Sequence, residues 1–159
     1  MTTTDLLRVV ELPEIQLPLV NRFYKDSGDS AKAGRGDRVF VVRRYHESNA
    51  TVSHIVAALR LQVKSDDWWF LRSMCVAPVL RGQGLGRKLL EGLEGFLAEH
   101  SCFCYPFEHL EHFYGLAGFE LIAPEEVSYQ PGFMSEPFGR YRRQGRKIIL
   151  MKKCSPSLK

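Results

Sequence analysis

Hydrophobic positions change period several times along the chain, and each change marks an element. Residues 5–12 read as a short strand. Pro18 suits the first turn of a helix, and Leu19, Val20, Phe23 and Tyr24 then recur at helical spacing up to a stop near Gly28. Residues 26–37 are small and polar with three glycines, which predicts a mobile loop or a frayed short helix. Three β-rich runs follow at 38–46, 54–63 and 68–77, with ESNATVS as a turn, KSDD as a tight link and Pro78 as a stop. Such short links predict an antiparallel meander. Leu89, Leu90, Leu93, Phe96 and Leu97 form one apolar stripe, so a single helix is predicted from about Gly86 to Glu99. A strand at 102–107 completes a crossover that makes it parallel to the strand at 68–77. A short helix at 109–118 closed by Gly118, a strand beginning at FELI, a proline-bearing stretch at 124–145 with a helix near 134–144, and a strand at 146–153 end the pattern. The order is that of a mixed α/β sheet flanked by helices.

Composition narrows the classes. Of 159 residues, 45% are hydrophobic and 25% charged, which suits one domain over residues 1–159 and excludes disorder as the main state. No window approaches the roughly 18 apolar residues of a membrane span. The start, MTTTDLLRVVELPEI, lacks a basic segment before an apolar run, so a cytoplasmic protein is expected. Cys75, Cys102, Cys104 and Cys154 show no CxxC pair and no metal spacing, which predicts buried reduced thiols and no metal. Residues 140–153 hold seven Lys or Arg and no acid, while 102–139 hold six Glu and no Lys or Arg. Outside the basic run the balance is 15 − 18 = −3, which speaks against a nucleic-acid protein.

The chemistry concentrates in VAPVLRGQGLGRKLLEGL, residues 76–93. A strand gives way to the turn Arg81-Gly82-Gln83-Gly84-Leu85-Gly86 and then to a helix. Backbone N–H groups and the helix dipole there favour a diphosphate. A Walker A loop fails because Arg87-Lys88 follow Gly86. A dinucleotide fingerprint fails because its third glycine falls on Arg87 or Leu89.

The spacing Arg81-x-x-Gly84-x-Gly86 after Val76-x-Pro78, with Phe113-Tyr114-x-x-x-Gly118-Phe119 downstream, resembles the GNAT superfamily of N-acetyltransferases over roughly residues 38–122. The resemblance implies a mostly antiparallel mixed sheet of six or seven strands with about four helices, its parallel fourth and fifth strands splayed. It implies acetyl-CoA as cosubstrate, with the pantetheine arm along Met74, Cys75 and Val76. The pyrophosphate would lie on the backbone of Gly82, Gln83, Gly84, Leu85, Gly86 and Arg87, with charge from Arg81 and Arg87. It also implies Tyr114 as the acid for the leaving thiolate, and acetyl transfer to a primary amine of a small molecule or peptide.

Two departures stand out. The family's cofactor-contacting Asn position is Phe107, and residues 68–80 hold no carboxylate to act as base. Glu108, His109, His112 and Glu136 are the remaining base candidates. A hairpin centred on Asp66 would oppose Arg60 and Arg72, which suggests an acceptor bearing a negative charge beside its amine. Their alternative is a structural ion network. The acceptor pocket is expected from 26–37 and 124–145. The rival readings are a non-catalytic acetyl-CoA-binding domain and a nucleic-acid module built on 140–153. No membrane partner is expected, and a homodimer is compatible with the sequence.

Overall fold

A computed structural model describes residues 6–46 and 49–156, without the side chains of 49–51 and 66. Among them are seven strands: β1 (Leu6–Leu12), β2 (Arg38–His46), β3 (Asn49–Val63), β4 (Trp68–Val76), β5 (Ser101–Cys104), β6 (Glu120–Leu121) and β7 (Met151–Lys153). Five α-helices accompany them: α1 (Leu17–Asp26), α2 (Leu85–Glu91), α3 (Glu94–Glu99), α4 (Glu111–Gly115) and α5 (Gly132–Arg143). The strand order is β1-β2-β3-β4-β5-β7-β6, the expected mixed sheet. β1–β2 and β2–β3 pair antiparallel. β4 and β5 pair parallel through Trp68–Ser101, Trp69–Cys102 and Phe70–Phe103, and β4 runs on to Val76.

The chain divides into two compact units. The first comprises Met1–Leu61 and Ser73–Leu93, the second Gln62–Arg72 and Glu94–Lys159. In the first, Leu12, Leu17, Val20, Tyr24, Val39, Val41, Ala58 and Cys75 form the core. β2 carries four successive buried residues, Val39 to Val42, because both its faces are covered. The core of the second is more aromatic: Phe70, Phe103, Ile122, Met134, Phe138, Ile148 and Leu150. Phe70 and Phe103 stack there with centroids 4.9 Å apart.

Several elements depart from the sequence expectation. β3 starts at Asn49, not residue 54, because Asn49 pairs with His46 and Ser53 with Tyr45; part of the expected turn, 47–48, lies outside the described residues. The single helix expected over 86–99 is two. α2 closes at Gly92, where a Cβ would stand 2.8 Å from the Cβ of Val9. Loop 26–37 is irregular but tied down. Asn21 Nδ2 donates to the Ala33 carbonyl at 3.1 Å, and the Ala33 N–H donates back to Asn21 Oδ1 at 2.7 Å. β5 stops at Cys104 before Pro106, which has no N–H; its carbonyl accepts the Ile149 N–H at 2.8 Å instead. β7 is correspondingly short. Cys75, Cys102 and Cys104 are buried as expected, but Cys154, just past β7, is exposed. No described helix is long and apolar enough to cross a membrane.

Candidate functional site

β4 ends at Val76 and a 3-10 turn covers Pro78–Leu80. Arg81 folds back so that its Nε donates to the Val76 carbonyl at 3.3 Å. Gly82 and Gly84 take φ of +81° and +83°. A left-handed backbone costs an L residue roughly 1–2 kcal/mol, which is why glycine stands there. A Cβ at either position would meet nothing within 4 Å, so the space over the turn is open. Gly84 caps α2, and the first bond of that helix runs from the Lys88 N–H to the Gly84 carbonyl at 3.0 Å. Helix geometry leaves the N–H groups of the first turn, Leu85 to Arg87, without intrahelical acceptors. Open space, backbone donors and positive potential fit a diphosphate such as that of coenzyme A. Arg87 donates Nε to Glu91 Oε1 at 3.1 Å on the exposed face of α2.

Upstream on β4, Ser73 has φ +61°, rare for a residue with a side chain. Three groups hold it. The Tyr24 hydroxyl donates to its carbonyl at 2.8 Å, Arg60 Nη1 to its Oγ at 3.1 Å, and Arg60 pairs with Asp37 at 2.9 Å. The Arg60 and Asp37 side chains are 9% and 8% exposed. Arg60 therefore lies in a buried structural pair. Arg72 is exposed, with Nη1 donating to Gln62 Oε1 at 3.3 Å and its guanidinium over the Phe70 ring. Each arginine has its own partners, so the sequence-derived pairing of Arg60 with Arg72 gives way to the structural-network alternative for Arg60. Met74 and Val76 are half-buried on β4. Burial, reinforced by Asp29, pushes the buried Cys75 thiol up, against weaker pulls from Ser27 and Arg81. It stays a thiol at neutral pH.

In the second unit Tyr114 on α4 is 6% exposed. Phe113 and Phe119 meet its ring edge-on at 5.1 and 6.0 Å. Gly118, at φ +94°, turns the chain so that the Phe119 N–H reaches the Tyr114 carbonyl at 3.3 Å. Burial raises the phenol pKa well above its ordinary value, and the Cys104 and Cys102 thiols add to that. Among the described residues the Tyr114 hydroxyl has no hydrogen-bond partner. A protonated phenol with an unclaimed O–H can donate a proton and cannot serve as base.

Glu108, His109 and His112 line an open cavity of about 610 Å³ with Glu111, Leu116 and Leu121. Glu136 stands apart from that cavity on α5. Phe107, 55% exposed, stacks on His109. Among the described residues no cluster of three or more His, Cys, Asp or Glu could hold a metal ion. Sequence reasoning missed Tyr24 and Asp37 as holders of Ser73. An arginine inside the apolar run AALRLQ was the available signal, since a buried cation needs an acid.

A family model described as "Acetyltransferase (GNAT) domain" matches residues 35–121. An acetyltransferase of the GNAT family from Staphylococcus aureus Mu50 superposes with a TM-score of 0.56 at 13% identity, over 93% of this chain and 98% of that one. The ribosomal-protein-S18-alanine N-acetyltransferase from Escherichia coli gives 0.55 at 16%, over 92% of each. N-acetylglutamate synthase from Neisseria gonorrhoeae, complexed with coenzyme A and N-acetyl-glutamate, gives 0.55 at 14%, over 93% of this chain and 35% of that longer one. At these identities the superpositions show the fold. No curated protein matches the sequence.

Proposed function

From the premise that this chain belongs to the GNAT acetyltransferase family, we propose that it moves the acetyl group of acetyl-CoA directly to a primary amine of a small molecule or peptide. The observation that carries this reading is the turn at 81–86. Its two left-handed glycines leave open space beside the unclaimed N–H groups that start α2. Gly82 to Arg87 hold the pyrophosphate by their backbone, and Arg81 adds charge beside it. The β4 backbone at Met74, Cys75 and Val76 lines the pantetheine arm. When bound, the thioester supplies an acyl carbon open to attack by a neutral amine. Tyr114 gives its proton to the departing sulfur, a role supported by a protonated hydroxyl that no described residue claims. With no carboxylate in 68–80, the ammonium proton leaves to water or to a base outside β4.

Gly84→Val tests the cradle. It forces a β-branched residue into φ +83° and fills the space over the turn. Calorimetry on the folded variant should show acetyl-CoA affinity reduced at least tenfold, and unchanged affinity refutes the assignment. The missing β4 carboxylate favours a second reading, a domain that binds acetyl-CoA without transferring it. Its signature is tight binding with no thiol released for any amine offered.

A further inference from the structure

Ser73 differs from every other left-handed residue described. Six are glycines, Gly82 and Gly84 among them, and Asp67, at φ +60°, is exposed in the 3-10 turn before β4. Aspartate tolerates that backbone. Ser73, at φ +61°, stands within β4. Its conformation is held from several places in the first unit. The Tyr24 hydroxyl, on α1, donates to its carbonyl at 2.8 Å, and Arg60 Nη1, on β3, donates to its Oγ at 3.1 Å. Asp37, just before β2, fixes Arg60 in turn by accepting from its Nε and Nη2 at 3.1 and 2.9 Å. The Gly34 N–H donates to the same Asp37 oxygen at 3.0 Å. Tyr24 is fully buried, and burial raises its phenol pKa well above the ordinary value, so the hydroxyl stays a donor.

The fold alone does not require this arrangement. Glycine at 73 would take the same backbone conformation without being held. Apolar packing would avoid the desolvation of a buried Arg–Asp pair. What a held serine adds is a fixed direction. The peptide joining Ser73 to Met74 is trans, as are all those described, so its carbonyl and its N–H point opposite ways. Tyr24 claims the carbonyl and thereby sets the direction of the Met74 N–H. The acetyl-transfer reading lays the pyrophosphate on Gly82 to Arg87 and the pantetheine arm along Val76, Cys75 and Met74. The arm then runs backwards along β4, and its thioester end comes to the Ser73–Met74 peptide. We propose that Tyr24, Arg60 and Asp37 are positioning residues for acetyl transfer: acting through Ser73, they hold this peptide in place beside the thioester. This deepens the acetyl-transfer reading and rests on it for the course of the arm. An uncommon backbone conformation is then kept where it is used.

Kinetics of the full chain test it, on variants that circular dichroism shows to be folded at the assay temperature. Tyr24→Phe should lower kcat roughly three- to tenfold, the scale of one hydrogen bond. KM for acetyl-CoA should stay within about twofold, because the cradle at 82–87 is untouched. Adding Ser73→Gly to Tyr24→Phe should restore part of the loss, since glycine takes the left-handed conformation unaided. Adding Ser73→Ala instead should deepen it, since alanine neither accepts from Arg60 nor favours that conformation. Val20→Ala is the control: it opens the same buried core but removes no hydrogen bond to Ser73, and its kcat should match wild type. The proposal is overturned by a kcat within twofold of wild type in Tyr24→Phe, by an equal loss in Val20→Ala, or by glycine and alanine at 73 acting alike. If no amine releases thiol, the transfer reading fails on its own. Calorimetry of acetyl-CoA against CoA then decides the network. A preference for the acetylated form that shrinks in Tyr24→Phe and not in Val20→Ala upholds it. No preference in wild type, or one that Tyr24→Phe leaves unchanged, overturns it.

Discussion

The two units treat their polar groups in opposite ways. In the first, several arginines meet acids: Arg60 with Asp37, Arg38 with Glu11, Arg22 with Asp26 and Arg87 with Glu91. In the second, arginines lie on rings, and the one described ion pair is Arg142 with Glu108 at 3.9 Å. Two buried tyrosines repeat the contrast. Tyr24 donates to the Ser73 carbonyl, whereas the Tyr114 hydroxyl has no described partner. Polar groups whose needs are met inside the protein hold the fold. Polar groups that no neighbour claims are available to a ligand.

The largest effect should come from breaking the buried pair. Arg60→Met leaves Asp37 charged and buried, at a cost of about 3–5 kcal/mol in chemical denaturation. Exposed Arg72→Gln should stay within about 0.5 kcal/mol of wild type. Similar losses in both would erase the contrast.

Next comes Tyr114→Phe. Its stability should hardly move, because no described hydrogen bond is lost. Its kcat should fall by about 10²-fold or less, with KM for acetyl-CoA nearly constant. Equal turnover would return Tyr114 to packing between Phe113 and Phe119. Tyr24→Phe is the mirror experiment and the smallest effect. Losing one hydrogen bond to Ser73 should cost about 1 kcal/mol of stability, with kcat changing less than in Tyr114→Phe. A larger kcat loss in Tyr24→Phe than in Tyr114→Phe would reverse the division between the two phenols.

Much of the fold was legible because it is local. The period in 38–46 and 17–26, the stop at Pro78 and the turn at Gly118 each depend on neighbours in sequence, and all stand where expected. The glycine turn before α2 was legible for the same reason. The split of α2 from α3 was signalled by Gly92 and Gly95 but overridden by the strength of the apolar stripe. The residue Gly92 packs against, Val9, is remote in sequence. Partners across the chain were illegible for that reason too. Nothing near Arg60 names Asp37, and nothing near Tyr24 names Ser73. Register arithmetic paired Arg60 with Arg72 by assuming an even ladder. It is silent on where the side chains turn, Arg60 to Asp37 and Arg72 to Gln62.

Gly92 and Val9 share one volume. Valine's branch point is rigid, so even alanine at 92 would force β1 and the end of α2 apart. In a saturation library position 92 would return glycine alone while Val9 is kept, whereas Gly95, with open space where a Cβ would stand, would accept most residues. Tolerance at 92 is thus set by the size of residue 9. Among descendants of this chain, a larger residue at 92 would have to arise together with a smaller one at 9.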